Sequence, residues 1–221
     1  HDPQCLLVFD ETTSRLFAPE KLLHQRAYHA DPAGGHAAVD SGADPPLVVL
    51  PSGEASKTLS QVQRILSRAL EAGLPRSATF LAVGGGAVSD VVGFSASLYL
   101  RGVPVVFVPT TLLGMVDASI GGKTGINYDG FKNMVGTFYP AREVRIFVDA
   151  LETLDEREFR SGLAEVIKAG LLDDEAILLR LEELAGVVAA STAGSGASRG
   201  ALARLRGDSS ALMEMIDRAI A

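Results

Sequence analysis

Apolar residues fall along the chain in two kinds of run. CLLVF (5–9), PLVVLP (46–51), TFLAVGGG (79–86), VPVVFVP (103–109) and VRIFVD (144–149) are short and continuous. A strand covered on both faces shows no polar alternation, so each predicts a buried strand. Between the second and third runs, Leu59, Val62, Ile65, Leu66, Ala69 and Leu70 recur at helical spacing. Thr58 and Gln61 stand in capping-box spacing before that face, and Gly73 with Pro75 ends it. A further helix is predicted from the glycines through Leu100. Strands alternating with helices in this way predict an α/β fold with a parallel sheet.

From residue 151 the pattern turns helical. Asp155 and Glu158 have capping-box spacing and open a helix to Leu172, with Phe159, Leu163, Val166, Ile167 and Leu171 as its apolar stripe. Residues 175–189 continue as helix, STAGSGAS (191–198) reads as a flexible low-complexity loop, and SALMEMIDRAIA is amphipathic. The expected organisation is an α/β domain over 1–150 and the beginning of an all-helical domain over 151–221.

Composition narrows the function classes. Hydrophobic residues make up 47% and charged residues 21%, enough for a proper core. A net charge of −7 argues against non-specific nucleic-acid or anionic-membrane partners, so an anionic ligand needs a local cluster of Lys and Arg. With one cysteine, Cys5, no disulfide framework forms within the chain. The most apolar stretch, LYLRGVPVVFVPTTLLGMV, is broken by Arg101 and two prolines and cannot span a bilayer. The expectation is a cytoplasmic protein.

Four segments carry candidate chemistry. GGGAVSD (84–90) sits where a strand meets a helix, where glycines admit a pyrophosphate to the helix N-terminus in a Rossmann-like fold. It misses the full glycine pattern at Ser89. Asp90 in the first helical turn is also accounted for by the helix dipole alone. In SGEASK (52–57), Glu54 suits ribose hydroxyls and Lys57 a phosphate, against the plainer reading of an ordinary polar loop. In PTTLLGMVDASIGGKTG (109–125) the ending GGKT imitates a phosphate-binding P-loop, but Asp117 occupies the place of its first glycine. Asp117, Lys123, Lys132 and Asn133 in this glycine-rich stretch then read as groups for a polar anionic ligand, or as a solvated loop. In GLAEVIK (162–168), Glu165 and Lys168 lie three apart off the apolar stripe, and an exposed ion pair explains them on spacing alone.

Taken with YLRG (99–102), GFKNMVG (130–136) and LETL (151–154), these segments resemble, in order and spacing, the 3-dehydroquinate synthases among the sugar-phosphate cyclases, over about residues 5–172. The resemblance implies conversion of the seven-carbon keto-acid sugar phosphate DAHP to 3-dehydroquinate, with NAD+ oxidising an alcohol transiently, phosphate eliminated, and the ring reclosed. It implies a divalent metal, zinc or cobalt, a small-molecule sugar phosphate as partner, and a homodimer. Asp10, Glu54, Lys57, Gly85, Gly86, Asp90, Thr110, Thr111, Lys132, Asn133 and Thr153 match cofactor positions. Arg101, Asp117, Lys123 and Lys168 match substrate-contacting catalytic positions, and Glu165 a metal ligand.

The chain departs from the family pattern at Ser89, at Tyr128 where the family has a histidine, and in lacking two downstream histidines. Its only histidines are His1, His24, His29 and His36. One carboxylate does not hold a catalytic zinc, so the resemblance implies part of a longer enzyme. Another sugar-phosphate cyclase, an iron-dependent polyol dehydrogenase and a non-catalytic NAD-binding domain stay open as alternatives.

Overall fold

A computed structural model describes residues 5–17, 45–185 and 203–221. Five strands form one parallel sheet: Cys5–Asp10 (β1), Leu47–Leu50 (β2), Thr79–Gly84 (β3), Val105–Pro109 (β4) and, after a hairpin, Glu143–Val144 (β7). Their order is β2-β1-β3-β4-β7. The register aligns Leu7 with Leu47 and Leu81, and Phe80 with Val105. All of β1 and β4 is buried, as continuous apolar runs require. Of the fifth apolar run only Val144 pairs, beside Glu143. Beyond Val144 the chain leaves the sheet, and Val148–Thr153 is a 3-10 turn, so the expected strand over 144–149 is corrected to this short edge.

Between these strands lie a short helix, Thr13–Leu16 (α1), and two long ones, Leu59–Glu71 (α2) and Gly86–Leu98 (α3). Thr58 caps α2 by accepting the Gln61 amide, as its spacing predicts. Val62, Ile65 and Ala69 are its buried face, whereas Leu59 and Leu70 are exposed. Helix α3 is buried over most of its length.

The stretch after Gly122, expected as a glycine-rich loop, is an antiparallel hairpin of Lys123–Tyr128 (β5) and Phe131–Phe138 (β6). Asp129 and Gly130 at its tip both have positive φ, 52° and 81°, as a tight two-residue hairpin turn demands. The hairpin lies close to α3, since a Cβ on Gly93 would stand 2.4 Å from Thr124 Cγ2.

Contacts divide the described chain into two compact units. The first runs to Thr110 and resumes at Ala118–Ile146; the second takes Thr111–Asp117 and everything described from Phe147 onward. The second unit contains Glu156–Leu172 (α4), Glu175–Ala185 (α5) and Ser209–Ile220 (α6). Asp155 caps α4 through the Glu158 amide, and Asp208 caps α6 through the Ala211 amide.

The buried face of α4 is Phe159, Gly162, Val166 and Gly170, rotated from the expected stripe; Ile167 and Leu171 are exposed. Glycines win this face because neighbouring chain comes too close for a side chain. A Cβ on Gly162 would lie 2.4 Å from the Leu113 amide nitrogen, and one on Gly170 would lie 2.9 Å from Leu178. The expected continuation of helix through 186–189 and the loop at 191–198 lie outside the described residues. Among the described residues no helix is long and apolar enough to cross a membrane.

Candidate functional site

Parallel strands end on one edge of a sheet. Strand order reverses between β1 and β3, and open α/β sheets bind ligands in the crevice at that reversal. The C-terminal ends of β1–β4 there lead into Asp10, the 3-10 turn Gly53–Ser56, the glycines 84–86 and Thr110.

Helix α3 starts from Gly85, which provides no side-chain cap; its carbonyl takes the Val88 and Ser89 amides, and the Gly86 and Ala87 amides are left for a ligand or water. A Cβ on Gly86 would stand 2.9 Å from the Ala118 Cβ, and the Thr110 amide donates to the Gly84 carbonyl at 2.9 Å. Ser89, where the family pattern has glycine, is buried and pairs with Ser119 at 3.1 Å. The Asp10 carboxylate is buried and accepts from the amides of Thr12 (2.9 Å) and Thr13 (2.7 Å), so it caps α1.

Beside the helix start lies a closed polar cluster. Lys57 is 4% exposed, and its ammonium donates to Asp90 Oδ2 at 2.5 Å and to Asn133 Oδ1. Sequence spacing gives no warning of this, because Lys57 and Asp90 are 33 residues apart and Asn133 is 76 away.

The hairpin brings Asn133 in. Ile126 pairs with Val135 and Tyr128 with Phe131, so Asn127 alone faces three residues of β6. Within that bulge Asn133 takes φ 56°, which Asn tolerates better than most residues. Asn127, not singled out from the sequence, binds in three directions. Its amide nitrogen donates to Glu54 Oε1 at 2.8 Å, its Oδ1 accepts from the Asn133 amide at 3.0 Å, and its backbone amide donates to the Lys57 carbonyl at 2.9 Å.

Lys132, exposed, stands 3.7 Å from Glu54 Oε1. The Asn127 hydrogen bond first, then the charges of Lys57 and Lys132, hold the Glu54 carboxyl below the ordinary range against some desolvation. The Asp129-Gly130 turn was the one available signal for this arrangement.

GGKT is not a P-loop in this fold. Lys123 opens a strand rather than a helix, and the Thr124 hydroxyl is spent on the Thr137 carbonyl at 3.0 Å. Lys123 is exposed, as is Arg101 on the turn after α3. Leu100 and Arg101 both have positive φ, 48° and 64°, a strained pair for non-glycine residues.

In the second unit, the Thr111 hydroxyl accepts from the Gly114 amide at 3.0 Å and Thr153 donates to the Ala150 carbonyl at 3.0 Å. Asp117 is exposed on a π-helical turn, Gly114–Ala118. Glu165 and Lys168 form an ion pair, and Glu165 Oε2 is buried without a hydrogen bond of directed geometry. The Glu165 carboxylate first, with a smaller contribution from Asp117, raises the Lys168 ammonium above its ordinary value. Asp117, Glu165 and Lys168 thus share one electrostatic environment.

A metal does not fit the described residues. No group of three or more His, Cys, Asp or Glu side chains could hold one among them, and His1, His24, His29 and His36 lie outside.

Known proteins resemble this chain in sequence and fold. The family model described as 3-dehydroquinate synthase N-terminal matches residues 47–161, a span that holds the whole Glu54–Lys57–Asp90–Asn127–Asn133 cluster. A 3-dehydroquinate synthase of Acidithiobacillus ferrooxidans (strain ATCC 53993 / BNL-5-31) is 53% identical over 136 residues, which is 62% of this chain and 37% of that protein. The chain therefore spans little more than a third of the length of the curated relatives it matches.

Among solved structures, 2-epi-5-epi-valiolone synthase from Streptomyces hygroscopicus subsp. jinggangensis 5008, with NAD+ and Zn2+ bound, superposes with a TM-score of 0.72. It is 33% identical, covering 98% of this chain and 54% of that one. A 2-deoxy-scyllo-inosose synthase complexed with carbaglucose-6-phosphate, NAD+ and Co2+ gives 0.59 at 30% identity, covering 76% of this chain and 42% of that one.

Proposed function

The chain belongs to the 3-dehydroquinate synthase family, and on that premise we propose that it carries the cofactor-binding half of a 3-dehydroquinate synthase, which turns DAHP into 3-dehydroquinate and phosphate. The observation behind this reading is the closed cluster of Lys57, Asp90 and Asn133 beside an uncapped, glycine-lined helix start. Identity of 53% to a 3-dehydroquinate synthase against 33% to the valiolone-type cyclase favours DAHP over a related sugar phosphate.

NAD+ is the cofactor we assign, and when bound it supplies a reversible hydride acceptor. The glycine cradle and the free helix amides suit its pyrophosphate. Glu54 accepts ribose hydroxyls, and Lys57, fixed by Asp90 and Asn133, adds positive charge without rotamer freedom to lose. Gly85, Gly86, Thr110, Thr111, Lys132 and Thr153 complete the assigned cofactor contacts; Asp10 is left with its capping role as the stronger reading.

For the substrate, Arg101 and Lys123 of the first unit suit phosphate and carboxylate. In the second unit Asp117 suits hydroxyl groups, and Lys168, its proton held by Glu165, suits an anionic group. Glu165 is the described residue we assign to a divalent metal. One carboxylate is not by itself a metal site, and the described residues supply no group of three such ligands. A cytoplasmic homodimer belongs to the same proposal.

The test is an assay of phosphate release with NAD+ and Zn2+, offering DAHP and sedoheptulose 7-phosphate separately. The expected result is release from DAHP alone, with 3-dehydroquinate formed and no NADH accumulating. Release from sedoheptulose 7-phosphate alone moves the protein to the other cyclases, a reading favoured by the TM-score of 0.72. Accumulating NADH identifies a dehydrogenase.

A further inference from the structure

We propose that Asn127 is a positioning residue of the cofactor site: it sits in the hairpin bulge and fixes the Glu54 carboxylate as a hydroxyl acceptor while holding Asn133 against Lys57. This rests on the reading of Glu54 and Lys57 as cofactor-binding groups. Asn127 on β5 ties two other segments together, the 53–57 turn and strand β6. Its amide nitrogen donates to Glu54 Oε1, its Oδ1 takes the Asn133 amide, and its own backbone amide is tied to the Lys57 carbonyl.

The chemistry requires an amide. Glu54 needs a donor, and the Asn133 N–H needs an acceptor, so neither Asp nor Ser supplies both at this reach. Both described contacts of the Glu54 carboxylate, from Asn127 and Lys132, fall on Oε1. Oε2 takes no hydrogen bond among the described residues and is left for a ligand hydroxyl. Glu54 is otherwise a half-exposed side chain on a turn that includes Gly53 with φ 70°. Without Asn127 its rotamers are unconstrained, and binding would have to order them at a cost in affinity.

Asn127 also closes the bulge, and a purely structural role would predict the same conservation of contacts. Asn127→Asp separates the two roles. It keeps the acceptor for the Asn133 amide, loses the donor to Glu54, and places a second carboxylate beside the first. The experiment titrates NAD+ into the full 221-residue chain by calorimetry, for wild type, N127D, N127A, E54Q and the double variant N127D/E54Q, with thermal midpoints measured in parallel.

The expected result is a dissociation constant raised about fivefold or more in N127D, the size of one lost hydrogen bond to a charged group, with a midpoint close to wild type. In the E54Q background N127D should add less than about twofold, because the two act as one unit. Should N127A melt out, N127D still decides. If E54Q weakens binding but N127D does not, the inference falls and the cofactor reading stands. If wild type fails to bind, or E54Q binds like wild type, the cofactor reading of Glu54 falls and takes the inference with it. Additive losses in the double variant also overturn the inference, since they assign Asn127 to the bulge alone.

Discussion

The two units differ in how they treat buried polar groups. In the first, Lys57, Asp90, Asn133, Asn127 and Glu54 satisfy one another, and the buried Ser89 and Ser119 pair across. In the second lie three buried side-chain atoms without a hydrogen bond of directed geometry among the described residues: Glu165 Oε2, which is ion-paired with Lys168, Arg180 Nε and Asp217 Oδ1. Arg180 Nε has only a 3.6 Å ion-pair contact with Glu214. Both units carry exposed large apolar side chains. Phe138 is 81% exposed in the first and Leu172 is 72% exposed in the second. What separates them is polar saturation. A closed network fixes side chains before a ligand arrives, whereas unsatisfied buried atoms keep a demand for partners.

The largest effect that tests this contrast is removal of one member of the closed cluster. Asp90→Ala leaves the buried Lys57 ammonium with Asn133 but without its counter-charge, and breaking such a pair costs about 3–4 kcal/mol. Urea denaturation should show that loss as a lower midpoint with an unchanged slope. Glu165→Gln, the counterpart in the second unit, should leave the midpoint unmoved, because its partner Lys168 is more than half exposed. Equal losses in the two variants would erase the distinction drawn between the units.

A smaller effect asks whether the second unit is also loosely packed. Gly162→Ala would press a methyl to 2.4 Å from the Leu113 nitrogen, a backbone atom that cannot rotate away. Overpacking of about 3 kcal/mol, less about 1 kcal/mol of improved helix propensity, leaves a net loss of about 2 kcal/mol. Thermal unfolding is the measurement. An unchanged or raised midpoint would mean that the helices yield, and the contrast would then extend from polar groups to packing.

What the sequence made legible follows the range of its signals. The strands, the Thr58 and Asp155 caps and the glycine turn into α3 are local, and each is a property of a few consecutive residues. The hairpin escaped because Thr124, Gly125, Ile126 and Asn127 do not alternate, so only Asp129-Gly130 spoke for it. The face of α4 escaped because glycines carry no hydrophobic signal, although they mark its closest contacts. The residues assigned to the site come from motif resemblance, which does not single out Asn127. Its contacts exist only where the hairpin bulge meets one distant turn.

The smallest effect concerns Asp217 on α6, whose Oδ1 is buried without a partner and whose carboxyl is raised above the ordinary range by desolvation. A raised carboxyl holds its proton more tightly in the folded chain than in the unfolded one. Its penalty on folding is therefore absent below the unfolded value of about 3.9, appears as pH climbs toward the folded value, and is complete above it. Asp217→Asn removes that penalty while keeping the shape. The variant should match wild type at acid pH and exceed it near neutrality by less than about 1 kcal/mol, since the group is only partly buried. Paired denaturation curves at the two pH values measure this. A variant less stable than wild type at neutral pH would mean that Asp217 already has a partner, and the second unit would lose one of the three unsatisfied atoms that set it apart.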